Sequence, residues 1–154
     1  SIYTDDEVYP IDSQNVGLCL IINQENFYPC EDPKIKGFMR SPKPLKERTG
    51  THFDRDKLHL TFKKLGFKIK VFNDRKHSEI MDDINHTLSQ FSKKDCCFVL
   101  CILSHGENGV VYGSDSVRVE VDDVINLLYE SKILLGKPKV LIIQSCQGSI
   151  LQTA

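Results

Sequence analysis

The sequence predicts an α/β domain built on a mainly parallel central sheet with helices on both faces, and three observations predict it. Four short apolar runs, VGLCLII at 16–22, FKIKVF at 67–72, CCFVLCIL at 96–103 and KVLIIQ at 139–144, have strand length and are rich in β-branched residues. Segments with helical spacing separate them, as crossover connections between parallel strands require. The first and third runs are apolar without alternation, which suits strands covered on both faces.

The elements follow in order. After the first strand, residues 23–50 lose periodicity and carry Pro29, Pro33, Pro42, Pro44, Gly37 and Gly50, so they read as a long loop. It holds Lys34, Lys36, Arg40, Lys43, Lys46 and Arg48 against Glu31, Asp32 and Glu47. That local excess suits either a solvated surface loop or an anion-contacting rim. Leu58, Phe62 and Leu65 then recur at helical spacing before Gly66, with Asp54 placed to favour the N-terminal end of the helix dipole. FKIKVF alternates like a half-exposed strand. Ile80, Ile84, Leu88 and Phe91 mark a second helix, 110–117 a hairpin turned at Gly113 to Ser116, and about 121–131 a third helix with Val124, Leu127 and Leu128 inward.

Composition removes several function classes. At 154 residues and 40% hydrophobic side chains, the chain makes one domain. A net charge of −1 recommends neither nucleic acid nor an anionic membrane as partner. The longest apolar runs fall well short of the ~20 residues of a membrane span, and the opening residues have neither signal nor transit character. Four of the six cysteines sit in or beside strand-like runs, where small apolar thiols are common, which points to a reducing, cytosolic setting. No pair has CxxC spacing, and His52, His59, His77, His86 and His105 are scattered, so neither a metal site nor a cofactor is expected.

In sheets of this kind ligands bind beyond the carboxyl ends of the strands. The third strand delivers Ser104-His105-Gly106-Glu107 there, and the fourth delivers Gln144-Ser145-Cys146-Gln147-Gly148. A lone thiol after a buried strand is commonly a packed core residue. A thiol and an imidazole leaving the same sheet edge have a second use, because the imidazole can generate or stabilise the thiolate. Gly106 and Gly148 let backbone approach closely, and the N–H groups of Gly106 and Cys146 are the expected oxyanion donors. Acyl transfer through a thioester is the reaction implied.

SHGENGVVYGSDS at 104–116 and IIQSCQG at 142–148 resemble the catalytic histidine and cysteine segments of caspases, with His105 standing 41 residues before Cys146. ERTGTHFDRDKL at 47–58 is similar to that family's arginine-glycine-threonine turn into its first long helix. The resemblance spans most of 16–148 and implies a caspase-hemoglobinase fold, completed by a separate small subunit, and a cytoplasmic cysteine endopeptidase that cleaves after aspartate. By position it implies Cys146 as nucleophile, His105 as proton donor to the leaving amine and Gly106 in the oxyanion hole. Arg48 and Gln144 line the aspartate pocket, and the backbone carbonyl of Lys46 orients the histidine. An arginine suits that pocket because its planar fork holds a carboxylate through two charge-assisted hydrogen bonds.

The resemblance also implies a domain at 16–148, an N-terminal extension at 1–15 and an inter-subunit linker remnant at 149–154. The wording of YPIDSQNVGLCLIINQENF, CCFVLCILSHGENGVVYGSD and GKPKVLIIQSCQG is most similar to the death-receptor-type initiator branch. That implies an apoptotic or innate immune zymogen recruited to a death-fold adaptor through a prodomain outside this chain. The partners expected are the small subunit, first as a heterodimer and then as a dimer of heterodimers, and protein substrates. The large subunit by itself is expected to be inactive and to expose an apolar sheet edge. Ser145 departs from the usual alanine, and the residues after Gly148 contain no aspartate at which an inter-subunit cut would fall. An inactive caspase-like regulator is the alternative, although such proteins usually lose the cysteine, the histidine or the pocket arginine, and all three are present. A flavodoxin-like module would need an anion-cradling loop after the first strand. A paracaspase or metacaspase would need acidic residues in place of Arg48.

Overall fold

Every residue from Gly17 to Asn23 and from Cys97 to Leu103 is buried, as two non-alternating apolar strands at the centre of a sheet must be. A computed structural model describes residues 14–145 and the backbone of 148–153. Its elements are β1 (Gly17–Asn23), α1 (Thr51–Lys64), β2 (Lys68–Asn73), α2 (His77–Ser89), β3 (Cys97–Leu103), β4 (Gly106–Glu107), β5 (Val110–Tyr112), β6 (Arg118–Glu120), α3 (Val121–Glu130), β7 (Lys139–Ser145) and β8 (Gly148–Thr153). The main sheet runs β2-β1-β3-β7-β8, with the first four strands parallel. The expected α/β fold is therefore present, with helices on both faces.

The period-2 alternation of strand side chains divides the core. Leu18, Leu20 and Ile22 join Phe98, Leu100, Ile102, Leu141 and Ile143 on the face covered by Ile80, Ile84 and Leu88 of α2 and Val124 and Leu128 of α3. Cys19, Ile21, Val99, Cys101 and Leu103 meet Leu58 and Phe62 of α1 on the other face. In the edge strand β2, Ile69 and Val71 pack on the second face while Lys68 and Lys70 remain exposed.

The ends of elements differ in detail from the periodic reading. Helix α1 stops at Lys64, so Leu65 lies past the last turn and is exposed. Helix α2 stops at Ser89, yet Phe91 stays buried, edge-on to Phe98 with ring centroids 6.1 Å apart. The hairpin pairs Tyr112 with Arg118, and β4 adds a third strand by pairing Gly106 with Val111. Gly148–Thr153, which contains most of the 149–154 stretch read from sequence as linker, pairs antiparallel along β7 from Ser145↔Gly148 to Val140↔Thr153. The chain's own residues thus pair with β7 on the side away from β3.

The long loop is organised by one of its own cations. Arg40 donates to the carbonyls of Cys30 (3.3 Å), Asp32 (2.6 Å) and Ile35 (2.8 Å). Its guanidinium is thus engaged in holding the loop together.

The buried thiols carry a testable pH dependence. Burial, with a smaller contribution from neighbouring Cys96, pushes the Cys97 thiol from 9.0 to about 11, against a partial opposing effect of Lys139. Cys19 is raised as well, first by its hydrogen bond with Cys101 and then by burial. Between pH 9 and 11 the folded state holds protons that the unfolded chain has released, so stability falls as pH rises through that window. Each unit is worth about 1.4 kcal/mol per group. Chemical denaturation between pH 8 and 11 should show this loss, and Cys97→Ser should reduce it.

Candidate active site

The order of the strands reverses at β1, which lies between β2 and β3, so the crevice beyond the ends of β1 and β3 is the switch point at which such sheets bind ligands. The described residues of the predicted site gather there. A cleft of about 500 Å³ opens at this point, walled by Lys46 to Thr51, Asp54 and His105.

His105 leaves β3 one residue after the buried Ser104. The Ser104 N–H donates to the Gln144 carbonyl (3.0 Å), and the Ser104 hydroxyl donates to that of Tyr112 (2.7 Å). The Tyr112 N–H donates back to the His105 carbonyl (3.0 Å), so the β4–β5 hairpin holds the histidine backbone. The imidazole Nε2 lies 2.6 Å from the Lys46 carbonyl. A carbonyl only accepts, so Nε2 carries a proton and Nδ1 is the nitrogen on which the ring gains or loses its second one. Phe27 packs against the ring with centroids 4.9 Å apart and planes tilted by 54°.

Arg48 sits two residues beyond Lys46 and is anchored to the end of β1. Its Nη1 donates to the Gln24 carbonyl (2.7 Å) and to Thr51 Oγ1 (2.9 Å), and the buried Thr51 hydroxyl donates to Asn23 Oδ1 (2.7 Å). Gln24 is itself clamped, its amide donating to the Arg75 carbonyl (2.5 Å) and accepting from the Arg75 N–H (2.7 Å). The Arg48–Thr51 turn closes with Thr51 N–H donating to Arg48 O (3.1 Å). Gly50, at φ 85° and ψ −2°, has the third-residue conformation of a type II turn, which is why a glycine follows Arg48-Thr49.

Gly106 is required by close approach. A Cβ there would lie 2.4 Å from the Val110 carbonyl oxygen and 3.4 Å from Ser145 Cβ. Gly106→Ala should therefore cost about 3 kcal/mol through displacement of the hairpin, measurable by denaturant titration. The nearness of Ser145 brings the end of β7 beside Gly106. Gln144 Nε2 reaches Asp54 Oδ2 at 3.4 Å, and Asp54 lines the cleft that holds Arg48 and His105.

The structure thus assembles His105, Gly106, Arg48 and, through Asp54, Gln144 at one sheet edge. Cys146 lies outside the described residues, immediately after Ser145. Sequence reasoning missed Phe27, Thr51, Asn23 and Gln24. The signal available was Asn23-Gln24, two polar residues directly after a fully apolar strand. Among the described residues no group of three or more His, Cys, Asp or Glu side chains is placed to hold a metal, and no helix is long and apolar enough to cross a membrane.

Comparison with known proteins gives the same picture. A family model described as the caspase domain matches residues 16–154. The chain is 38% identical to mouse (Mus musculus) caspase-8 over 97% of its own length and 30% of that protein's. It is 37% identical to mouse caspase-6 over 96% of its length and 50% of that protein's. The crystal structure of caspase-1 from Spodoptera frugiperda superposes with a TM-score of 0.75 at 31% identity, covering 96% of this chain and 55% of that one. The chain therefore spans between about a third and a half of these relatives.

Proposed function

The chain belongs to the caspase family, and on that footing we propose that it is the large catalytic subunit of a cysteine endopeptidase that cleaves proteins after aspartate. The observation that carries this reading is the 2.6 Å contact of His105 Nε2 with the Lys46 carbonyl, two residues before an Arg48 buttressed in the same cleft. An imidazole so held keeps one tautomer and one orientation, and an arginine so held is pre-ordered for a carboxylate.

In the reaction, the Cys146 thiol gives its proton to His105 Nδ1, and the sulfur bonds to the carbonyl carbon of the aspartate as the C=O π bond opens. The N–H groups of Gly106 and Cys146 receive the developing oxyanion. His105 passes its Nδ1 proton to the leaving amine as the C–N bond breaks, then takes a proton from the water that hydrolyses the thioester and frees the thiol. Arg48 and Gln144 hold the aspartate side chain. Asp54, close to Gln144, orients that amide and limits how strongly positive the pocket becomes.

The small subunit completes the pocket and the groove for residues before the aspartate, in a heterodimer that pairs again. Within that frame 16–148 is the large-subunit domain, 1–15 an extension and 149–154 the linker remnant, of which 149–153 pairs with β7. An initiator role in apoptotic or innate immune signalling, in the cytoplasm and through a death-fold adaptor, is supported by the similarity to proteins named caspase-8. Turnover of an aspartate-ended fluorogenic peptide by the two-subunit protein tests the reading. A folded two-subunit protein with no turnover would favour the inactive regulator.

A further inference from the structure

We propose that the cleft bounded by Phe27, Pro42, Pro44 and Leu45 is a substrate subsite for an apolar side chain on the second residue after the scissile bond. The inference rests on the aspartate-cleaving reading of the site.

The segment 40–51 contributes to two clefts, its first half to one and its second half to the other. Residues 46 to 51 wall the Arg48 cleft. Residues 40 to 45, with Phe27 and the turn at Ser116, wall a second cleft of about 240 Å³. His105 stands at the divide, with Nε2 on the Lys46 carbonyl and its ring against Phe27. The two clefts therefore lie on consecutive parts of one stretch of chain, and Phe27 of the second packs on the imidazole of the first.

The direction of the substrate follows from the chemistry. The aspartate side chain occupies the Arg48 cleft, and the leaving amine must reach His105 to be protonated. The chain beyond that amine departs past the imidazole, on the side of Phe27 and Leu45. An extended peptide alternates its side chains, so the second residue after the aspartate faces the same way as the aspartate and lies about 7 Å along. The residue between them faces away. The aspartate and the second leaving residue therefore point into neighbouring clefts.

The walls define what fits. Four aliphatic or proline side chains, with Phe27 and Tyr28, form an apolar lining, and no carboxylate lines the cleft among the described residues. The lining is also built rather than loose. Arg40 ties the loop to the carbonyls of Cys30, Asp32 and Ile35, the Ser41 N–H donates to Ser116 O (2.8 Å), the Tyr28 N–H donates to Ser114 O (2.9 Å) and the Ser116 hydroxyl donates to Tyr28 O (2.7 Å). Lys43 stands exposed at the rim. The expected occupant is leucine or phenylalanine, with lysine the poorest of the charged alternatives.

The test uses the full-length protein with its small subunit and internally quenched peptides of the form Asp-Gly-X, where X is Leu, Phe, Gly, Glu or Lys. We expect kcat/KM for Leu or Phe to exceed that for Gly by about tenfold, the worth of a partly buried apolar side chain in a binding pocket. In Leu45→Asn the Leu-to-Gly ratio should fall toward one. Cleavage after Asp with equal rates for all X would overturn the subsite while leaving the protease reading standing. Failure to cleave any of the peptides by a folded two-subunit protein would remove the protease reading and the subsite with it.

Discussion

Cys146→Ala abolishes hydrolysis of aspartate-ended peptides, lowering turnover by on the order of 10⁴-fold or more, while the two-subunit protein still assembles. The size follows from removing the only group that forms the covalent bond, since the residual catalysis of such sites comes from oxyanion donors and binding alone. Assembly should survive, because the described core is formed by the side chains on the two faces of the sheet, and Cys146→Ala removes a single sulfur atom from the chain. Paired measurements of turnover and of subunit association by size-exclusion chromatography separate the effects. Loss of both together would show that Cys146 acts structurally.

Arg48→Ala should lower kcat/KM for aspartate substrates by about 10² to 10³. Two charge-assisted hydrogen bonds to a carboxylate are worth roughly 1.5–3 kcal/mol each, and part of that is recovered from other groups of the pocket. Arg48→Lys should recover little, because an ammonium cannot reproduce the fork. Arg48 also bonds Gln24 O and Thr51 Oγ1, so a modest loss of stability is expected beside the kinetic effect. Selectivity for Asp over Asn peptides measured within each variant isolates the recognition part. An unchanged selectivity in Arg48→Ala would remove Arg48 from the pocket.

The fold was largely legible because its strong signals are periodic. The four parallel strands, three helices and hairpin follow from apolar runs and spacing, and these also bring His105 and Gln144 to one edge, where β3 pairs with β7 at Leu103↔Gln144. Burial of β1 and β3 was foreseeable because both lack polar alternation. The aspartate specificity of Arg48 was legible only through family resemblance, because an arginine in a basic loop has no periodic context. The buttress of Asn23, Gln24 and Thr51 was legible only as a polar pair following the apolar run 16–22, since its bonds join residues 28 and 51 positions apart. Asp74 is a similar case. It adopts φ 54° and accepts from the N–H groups of Glu25 (2.7 Å) and Asn26 (3.0 Å), a closure that depends on β1 and β2 being neighbours. Strand β8 was missed because its six residues, GSILQT, neither alternate nor form an apolar run and carry no register of their own; β7 supplies it.

Lys46 and Arg48 belong to one short stretch, and that stretch carries both the carbonyl on the imidazole and the guanidinium of the cleft. Rate and selectivity are therefore not independent variables in this molecule. Any ligand, partner or substitution that slides the stretch by an ångström changes the tilt of the ring and the grip on the carboxylate together. Inhibitors directed at it would be expected to give mixed kinetics, with kcat and KM displaced in step.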